Sequence, residues 1–327
     1  MSADQTCGIV FTAERQAELT AVDFDDGPLG PTELRGSTLV SLVSPGTELN
    51  AGFLGDRFPF RPGYAAVFRV DDVGDEVEAI SPGDLAFTMG NHQSRQRCER
   101  TDAVRVRDGV PAATAVFARL MGVSLTTLMT TRARPGEIVL VTGLGLVGNL
   151  AAQMFASCGY RVVGCEPVAE RRALAESVGL EDVREAVPLD DDSIAGRVAL
   201  VAECSGHEQA ALDGCRAVRR KGEVVLIGVP WQARTDLRAH DLLDAVFHQY
   251  VTLRGGWEWE IPRHADQFSP HGIFRNFRTA LRWLREGRVK VDGLYETASP
   301  DSAQRVYEDL LEKRTTGLTG MFDWTGG

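Results

Sequence analysis

Three glycines spaced as Gly143-Leu144-Gly145-Leu146-Val147-Gly148 follow the apolar run Val139-Leu140-Val141-Thr142 and open a second apolar run. That spacing suits a diphosphate. Gly143 permits a tight turn, Gly145 lets backbone approach a pyrophosphate with no Cβ in the way, and Gly148 allows a helix to pack close to its strand. The phosphates would rest on the helix N-terminus, where unpaired N–H groups and the dipole favour negative charge. Glu166 ends the next apolar run, about twenty residues on, where a carboxylate hydrogen-bonds both hydroxyls of an adenosine ribose and repels a 2′-phosphate. NAD is therefore favoured, and NADP is the second choice because Arg171 and Arg172 follow, although arginines there usually cover a solvated helix face. In a chain with 34 glycines an isolated match is weak, so the flanking strand, helix and acid carry the weight. Methyltransferases that use S-adenosylmethionine share a glycine-rich turn followed by an acid. They carry it near the start of their domain, and the mid-chain position here favours a dehydrogenase.

These residues need a frame. From about Gly122 apolar strands alternate with helical stretches, the pattern of βαβ units on a parallel sheet: strands at 137–142, 161–166, 197–203, 223–229 and 250–253, with helices at 147–157, 168–178 and 208–219. The first third instead holds short β-prone runs at 37–43, 65–70, 84–89 and 103–107, punctuated by Ser44-Pro45-Gly46 and Ser81-Pro82-Gly83-Asp84, and predicts a small barrel-like β domain. The tail carries amphipathic helices at 274–285 and 301–311 and is too short to stand alone. The predicted organisation is a catalytic domain over 1–121, a nucleotide-binding domain over 122–260, and a second catalytic piece over 261–327 that folds back onto the first. The fold class is α/β, with a doubly wound parallel sheet inserted in a β-barrel domain.

Composition narrows the partners. With 46 acidic against 35 basic residues the net charge is −11, which opposes nucleic acid and anionic membrane surfaces and leaves a small-molecule substrate. The six cysteines form no CxxC pair, so neither a zinc knuckle nor a disulfide framework is read from them. Met1 to Val10 lacks the regions of a signal peptide, and no apolar run is read as long enough to span a bilayer; the expected location is the cytoplasm.

Further motifs carry a family likeness. Pro45-Gly46-Thr47-Glu48, Arg61-Pro62-Gly63-Tyr64, Val73-Gly74-Asp75-Glu76-Val77, Pro82-Gly83-Asp84, Arg134-Pro135-Gly136-Glu137, Glu203-Cys204-Ser205-Gly206 and the stretch Gly222 to Gly228 stand in the order seen in the medium-chain dehydrogenase/reductase superfamily, which the chain resembles over nearly its whole length. The resemblance implies a GroES-like catalytic domain, a Rossmann coenzyme domain and a cleft where nicotinamide meets substrate. It also implies coenzyme contacts from Cys204, Ser205, Gly228, Val229 and Pro230. Homo-oligomers are the habit of that family. Zinc members carry a Cys where Pro45 stands here and a His-Glu pair where Tyr64-Ala65 stands; of the four cysteines of their structural zinc loop only Cys98 is present. No zinc of either kind is expected.

Without a Lewis acid, a carbonyl reaction needs another group to stabilise alkoxide and move a proton. Tyr64, at the vacated ligand position, is the first candidate. His92 is the second, a proton carrier near neutral pH that follows the strand end Phe87-Thr88-Met89-Gly90; Met89 itself is expected to line the substrate pocket. Thr47 matches a proton-passing hydroxyl of zinc relatives, and Glu48 lies beside it. Arg119 is a candidate for orienting a polar substrate, and Trp257 and Trp259, beside Glu258 and Glu260, for a wall that stacks on a sugar-like ring. The expected activity is hydride transfer between a nicotinamide coenzyme and a secondary alcohol or ketone of a polar, cyclic polyol or amino-sugar-like molecule. The alternative is a zinc-free quinone or enoyl reductase, and the outside alternative a methyltransferase.

Overall fold

The computed structural model describes residues 5–326; of the segment read for a leader, Met1 to Asp4 lie outside the described residues. The chain divides into two compact units: Met1–Arg119 with Phe277–Arg285 and Gly293–Gly327, and Leu120–Asn276 with Glu286–Asp292.

The first unit is mostly β. A hairpin joins β1 (Cys7–Ala13) to β2 (Gln16–Ala21). The main sheet runs β14 (Tyr295–Ala298), β15 (Thr319–Asp323), β3 (Glu33–Leu42), β4 (Ala66–Val73), β5 (Leu85–Thr88) and β7 (Ala103–Val106), with β6 (Arg95–Glu99) paired to β3. In β3, Leu34, Gly36, Thr38 and Val40 are buried in alternation, the period of an antiparallel strand with one face inward. Two cores result. Leu34, Phe68, Val70, Ile80, Ala86 and Ala103 fill one, while Phe11, Phe53, Tyr307 and Phe322 join Val306 and Leu310 of the helix Ala303–Leu311 in the other.

The second unit holds six parallel strands in the order β10 (Val183–Arg184), β9 (Arg161–Cys165), β8 (Ile138–Thr142), β11 (Val198–Glu203), β12 (Val218–Leu226) and β13 (Thr252–Gly255). Counted along this unit the order is 3-2-1-4-5-6, the doubly wound arrangement. Every residue of β8 and β11 is buried, as expected of central strands covered on both faces. The topology reverses between β8 and β11, so their carboxyl ends diverge into the crevice where such sheets bind ligands.

Two expectations need correction. The tail does not leave the nucleotide-binding unit at residue 261: residues up to Asn276 stay with it. Ile273 N–H bonds to Pro262 O (3.0 Å), Phe274 N–H to Arg263 O (3.1 Å), and Asn276 Nδ2 lies 3.4 Å from Thr126 Oγ1. Glu286–Asp292 returns to this unit too, through paired bonds between Gln153 and the backbone of Lys290 (3.0 and 2.7 Å). The second correction concerns apolar length. Ala112–Thr130 is long and apolar enough to cross a membrane by length and composition alone. Its most apolar window is 67% buried, and it carries the buried Arg119, so it reads as a core helix.

Candidate active site

The second unit contributes a cradle made of backbone. Gly143 turns with φ +78°, and a Cβ there would sit 2.7 Å from that of Ser205; a Cβ on Gly148 would stand 1.8 Å from Gly143 O. Neither position accepts a side chain. Gly145 differs: a Cβ would meet only Arg171 Nη1, 4.0 Å away, so its missing side chain leaves open space and serves no packing need. Gly145 also caps the helix Leu146–Ser157, and no side chain caps its first N–H groups. Unfilled space beside an uncapped helix terminus is what a pyrophosphate requires, and these residues fit a dinucleotide. Leu144 and Leu146 are buried and offer backbone only, and Val147 is half-buried.

Glu166 stands at the tip of β9, as the spacing predicts, but is only 3% exposed. Its Oε2 accepts the Leu144 N–H (2.9 Å) and its Oε1 the Val168 N–H (3.1 Å), so the acid fastens the glycine turn. Each oxygen keeps a further lone pair for a hydroxyl. Arg171 lies 3.9 Å from Glu166 and is partly exposed, whereas Arg172 Nη1 is occupied by the carbonyls of Glu166 and Pro167 (both 2.8 Å). Of the two arginines, Arg171 is the one beside the cradle.

The loops after β11 and β12 close on the same turn. Cys204 N–H donates to Thr142 O (2.8 Å), and Ile227 and Gly228 N–H both donate to Glu203 O (2.7 Å). A Cβ on Gly228 would stand 2.3 Å from Gly206 N, and Gly206 takes φ +66° against Val229 O. Cys204, Ser205, Gly228, Val229 and Pro230 are thus gathered around the glycine turn. Burial pushes the Cys204 thiol well above its ordinary range, so it lines the loop as a neutral group. Their organiser, Glu203, was missed by the sequence reading. Its buried carboxylate accepts from Ser205 N (2.7 Å), Ser205 Oγ and Gly206 N (3.1 Å), and lies 3.4 Å from Thr142 Oγ1. Burial nevertheless holds its carboxyl above the usual range, against the pull of those bonds. The available signal was an acid closing the all-apolar run Val198-Ala199-Leu200-Val201-Ala202.

The first unit contributes side chains. Tyr64 is half-buried, and the Ser44 and Thr47 hydroxyls stand near enough to its phenol to favour the phenolate. The Arg119 guanidinium lies over the Tyr64 ring, 4.5 Å from its centroid, and 5.7 Å from that of Phe277. Burial drives the phenol upward from its ordinary value of 10.0; Arg119 and the two hydroxyls oppose that shift, and the Glu48 charge adds to it. Met89 is half-buried just past β5. Arg119 is 4% exposed and rests against Tyr64, which corrects its assignment as a direct substrate contact. Trp257 and Trp259 belong to the other unit and are 71% and 43% exposed around the buried Glu258.

His92 and Glu48 also need correction. They are 1% and 2% exposed and bonded to each other, His92 Nε2 to Glu48 Oε2 at 2.9 Å. Glu48 further accepts Tyr307 Oη–H (2.6 Å) and Ser44 N–H (2.8 Å), while Ser41 Oγ lies 2.7 Å from His92 Nδ1 and accepts Trp324 Nε1–H (2.9 Å). Every polar atom of this pair faces protein, so neither reaches a reacting oxygen. Their work is to hold the turn that carries Ser44 and Thr47. Among the described residues no three His, Cys, Asp or Glu side chains converge to hold a metal ion, and the positions read against zinc relatives hold Pro45 and Tyr64.

Comparison with known proteins agrees with this geometry. Residues 147–265 match a family model described as zinc-binding dehydrogenase. Alcohol dehydrogenase 1 of Emericella nidulans is 28% identical over 243 residues, covering 70% of this chain and 63% of the relative. The chain spans between half and 63% of the length of the first curated relatives it matches. Galactitol-1-phosphate dehydrogenase from Escherichia coli superposes with a TM-score of 0.80 at 17% identity, covering 97% of this chain and 99% of that one. The quinone oxidoreductase of Pseudomonas syringae pv. Tomato DC3000 does so with 0.76 at 20% identity, covering 97% and 99%. At such identities the structural likeness speaks for the fold. The family-model match covers the coenzyme half and the curated relatives are alcohol dehydrogenases, so the chain is similar to dehydrogenases of this kind.

Proposed function

We propose that this chain is a zinc-independent, nicotinamide-linked oxidoreductase that interconverts a secondary alcohol and its ketone, with NAD(H) preferred to NADP(H) and Tyr64 as the acid–base group. The observation that carries this reading is the Tyr64 phenol, which stands where zinc relatives put a ligand, with the Arg119 guanidinium 4.5 Å from its ring centroid and the Ser44 and Thr47 hydroxyls nearby. A bound dinucleotide supplies the two-electron acceptor or donor of hydride. Tyr64 supplies the rest. Burial raises the proton affinity of its phenol, which is protonated at neutral pH and so donates to an oxygen turning into alkoxide; in the opposite direction Oη must first give its own proton to the neighbouring hydroxyls, and the phenolate then takes the alcohol proton as the carbinol hydrogen leaves with its electron pair to the coenzyme. Thr47 and Ser44 pass that first proton on. A polar, polyol-like or amino-sugar-like substrate suits the hydroxyl-rich turn. Zinc independence is supported by Pro45 and Tyr64 at the ligand positions and by the enclosure of His92 and Glu48.

The test is steady-state turnover with NADH and NADPH over a panel of ketones and quinones, for the wild type and Tyr64→Phe, together with metal analysis. The expected result is a loss in kcat of about 10²–10⁴-fold on removing the hydroxyl, and substoichiometric zinc. Full turnover in Tyr64→Phe with quinone as the preferred acceptor would favour the quinone-reductase alternative. Stoichiometric zinc with chelator-sensitive turnover, or preferential binding of S-adenosylmethionine, would sink the assignment.

A further inference from the structure

We propose that Arg119 is a positioning residue for the proton-transfer step, acting through Tyr64 without touching the substrate; the inference rests on the reading of Tyr64 given above. The case begins with a cost. Arg119 lies in an otherwise apolar segment, Phe117-Ala118-Arg119-Leu120-Met121, whose other four side chains are all 0–1% exposed. An arginine 4% exposed among them loses most of its hydration, and that loss needs a return. Part of that return comes from two rings. The guanidinium covers the Tyr64 face at 4.5 Å, and Phe277 lies at 5.7 Å. Its place over the ring face restrains the tilt of the phenol.

The same contact sets charge. A cation against the ring favours the phenolate and opposes the effect of burial. The groups facing Tyr64 are few: Arg119 is the cation, Glu48 the anion whose charge acts the other way, and Ser44 and Thr47 offer hydroxyls only. His92 packs beside the neighbouring Gly63, but its ring nitrogens are held by Ser41 and Glu48, and Phe277 is apolar. Among the described residues Arg119 is therefore the group that lowers the proton affinity of this phenol by charge. It is placed to do the electrostatic part of what a metal does for bound oxygen elsewhere.

The experiment compares wild type, Arg119→Lys, Arg119→Met and Tyr64→Phe, recording kcat and KM for alcohol oxidation across pH and tyrosinate absorbance against the Tyr64→Phe reference. In Arg119→Met the alkaline rise in turnover and the Tyr64 absorbance step should both move to higher pH by about one unit or more, as expected when a cation within stacking distance is removed. Arg119→Lys, which keeps the charge and loses the plane, should retain most of the pH position while kcat falls and KM stays near wild type. In the Tyr64→Phe background Arg119→Met should add no further loss in kcat, because the arginine has nothing left to act through. Unmoved titration in both Arg119 variants, or an additive loss in the double variant, overturns the proposal. If Arg119→Met fails to fold, the kcat of Arg119→Lys and of its double with Tyr64→Phe decides the matter: a loss in kcat confined to the Tyr64 background supports the proposal, and no loss in Arg119→Lys or an additive loss in the double overturns it. A fully active Tyr64→Phe would instead overturn the reading of Tyr64 itself, which separates the two failures.

Discussion

The two units build their functional residues from opposite materials. Around Gly143 the second unit uses backbone: three side-chain-free positions, an uncapped helix start, and acids that accept N–H groups from the loops they organise. Around Tyr64 the first unit uses side chains from three distant places, with Arg119 over the ring and Ser44 and Thr47 at the hydroxyl. A backbone site is contiguous in the chain and tolerates change wherever the backbone path survives. A side-chain site depends on every contributor, and its members need not be neighbours in sequence. The two buried acids show the same contrast. Glu203 serves backbone N–H groups from the loop that follows it, whereas Glu48 joins His92 and Tyr307 from far along the chain.

The largest expected effect tests whether Glu48 is a scaffold. Glu48→Ala leaves the buried His92, Tyr307 and Ser44 N–H donors without their acceptor and should cost about 3–5 kcal/mol in urea denaturation. Tyr64→Phe should change stability by less than about 1 kcal/mol while removing activity. Equal destabilisation by the two would erase the distinction between scaffold and reacting group. Next comes the cradle. Gly145→Val has room for its side chain, so the apo protein should melt as the wild type does, while NADH affinity, followed by tryptophan fluorescence, falls about 100-fold, or roughly 2.7 kcal/mol. Unaltered binding would mean that the dinucleotide does not cross this turn.

A smaller effect is expected at Glu203→Gln, which puts an amide donor among N–H donors and should weaken coenzyme binding about 10-fold by loosening the Ser205 loop. It also carries a pH signature. The folded carboxyl is raised above 4.5, so its contribution to stability is complete below that value and lost as pH rises through the raised one. Wild type should therefore lose stability relative to the Gln variant across mildly acidic pH, and parallel pH curves would refute the assignment. The smallest effect is at Arg171→Ala, which should lower NADPH affinity a few-fold, about 0.5–1 kcal/mol, and leave NADH nearly unchanged. An equal loss for both coenzymes would assign Arg171 to the pyrophosphate.

Much of the coenzyme unit was legible before folding because each part is local. A parallel strand buried on both faces reads as an unbroken apolar run, and a turn that excludes Cβ atoms reads as glycine at fixed spacing. The same locality places Glu166 at its strand tip. The helices Ala118–Thr130 and Ala239–Gln249 and the short strands β6, β10 and β14 were not legible. The first helix is apolar on nearly every face and gives no period, and the strands are too short or too polar to show an alternation.

By itself the sequence determined the glycine cradle and which residues, Pro45 and Tyr64, stand at the positions read against zinc relatives, since both depend on which residue occupies one position of a contiguous motif. Only the tertiary structure decided which polar residues face chemistry and which are sealed. Burial and hydrogen-bond partners come from segments far apart in the chain, so His92 and Glu48, candidates placed after Tyr64 by the sequence, pair with Ser41 and Tyr307 in the interior. Tyr64 instead meets Arg119.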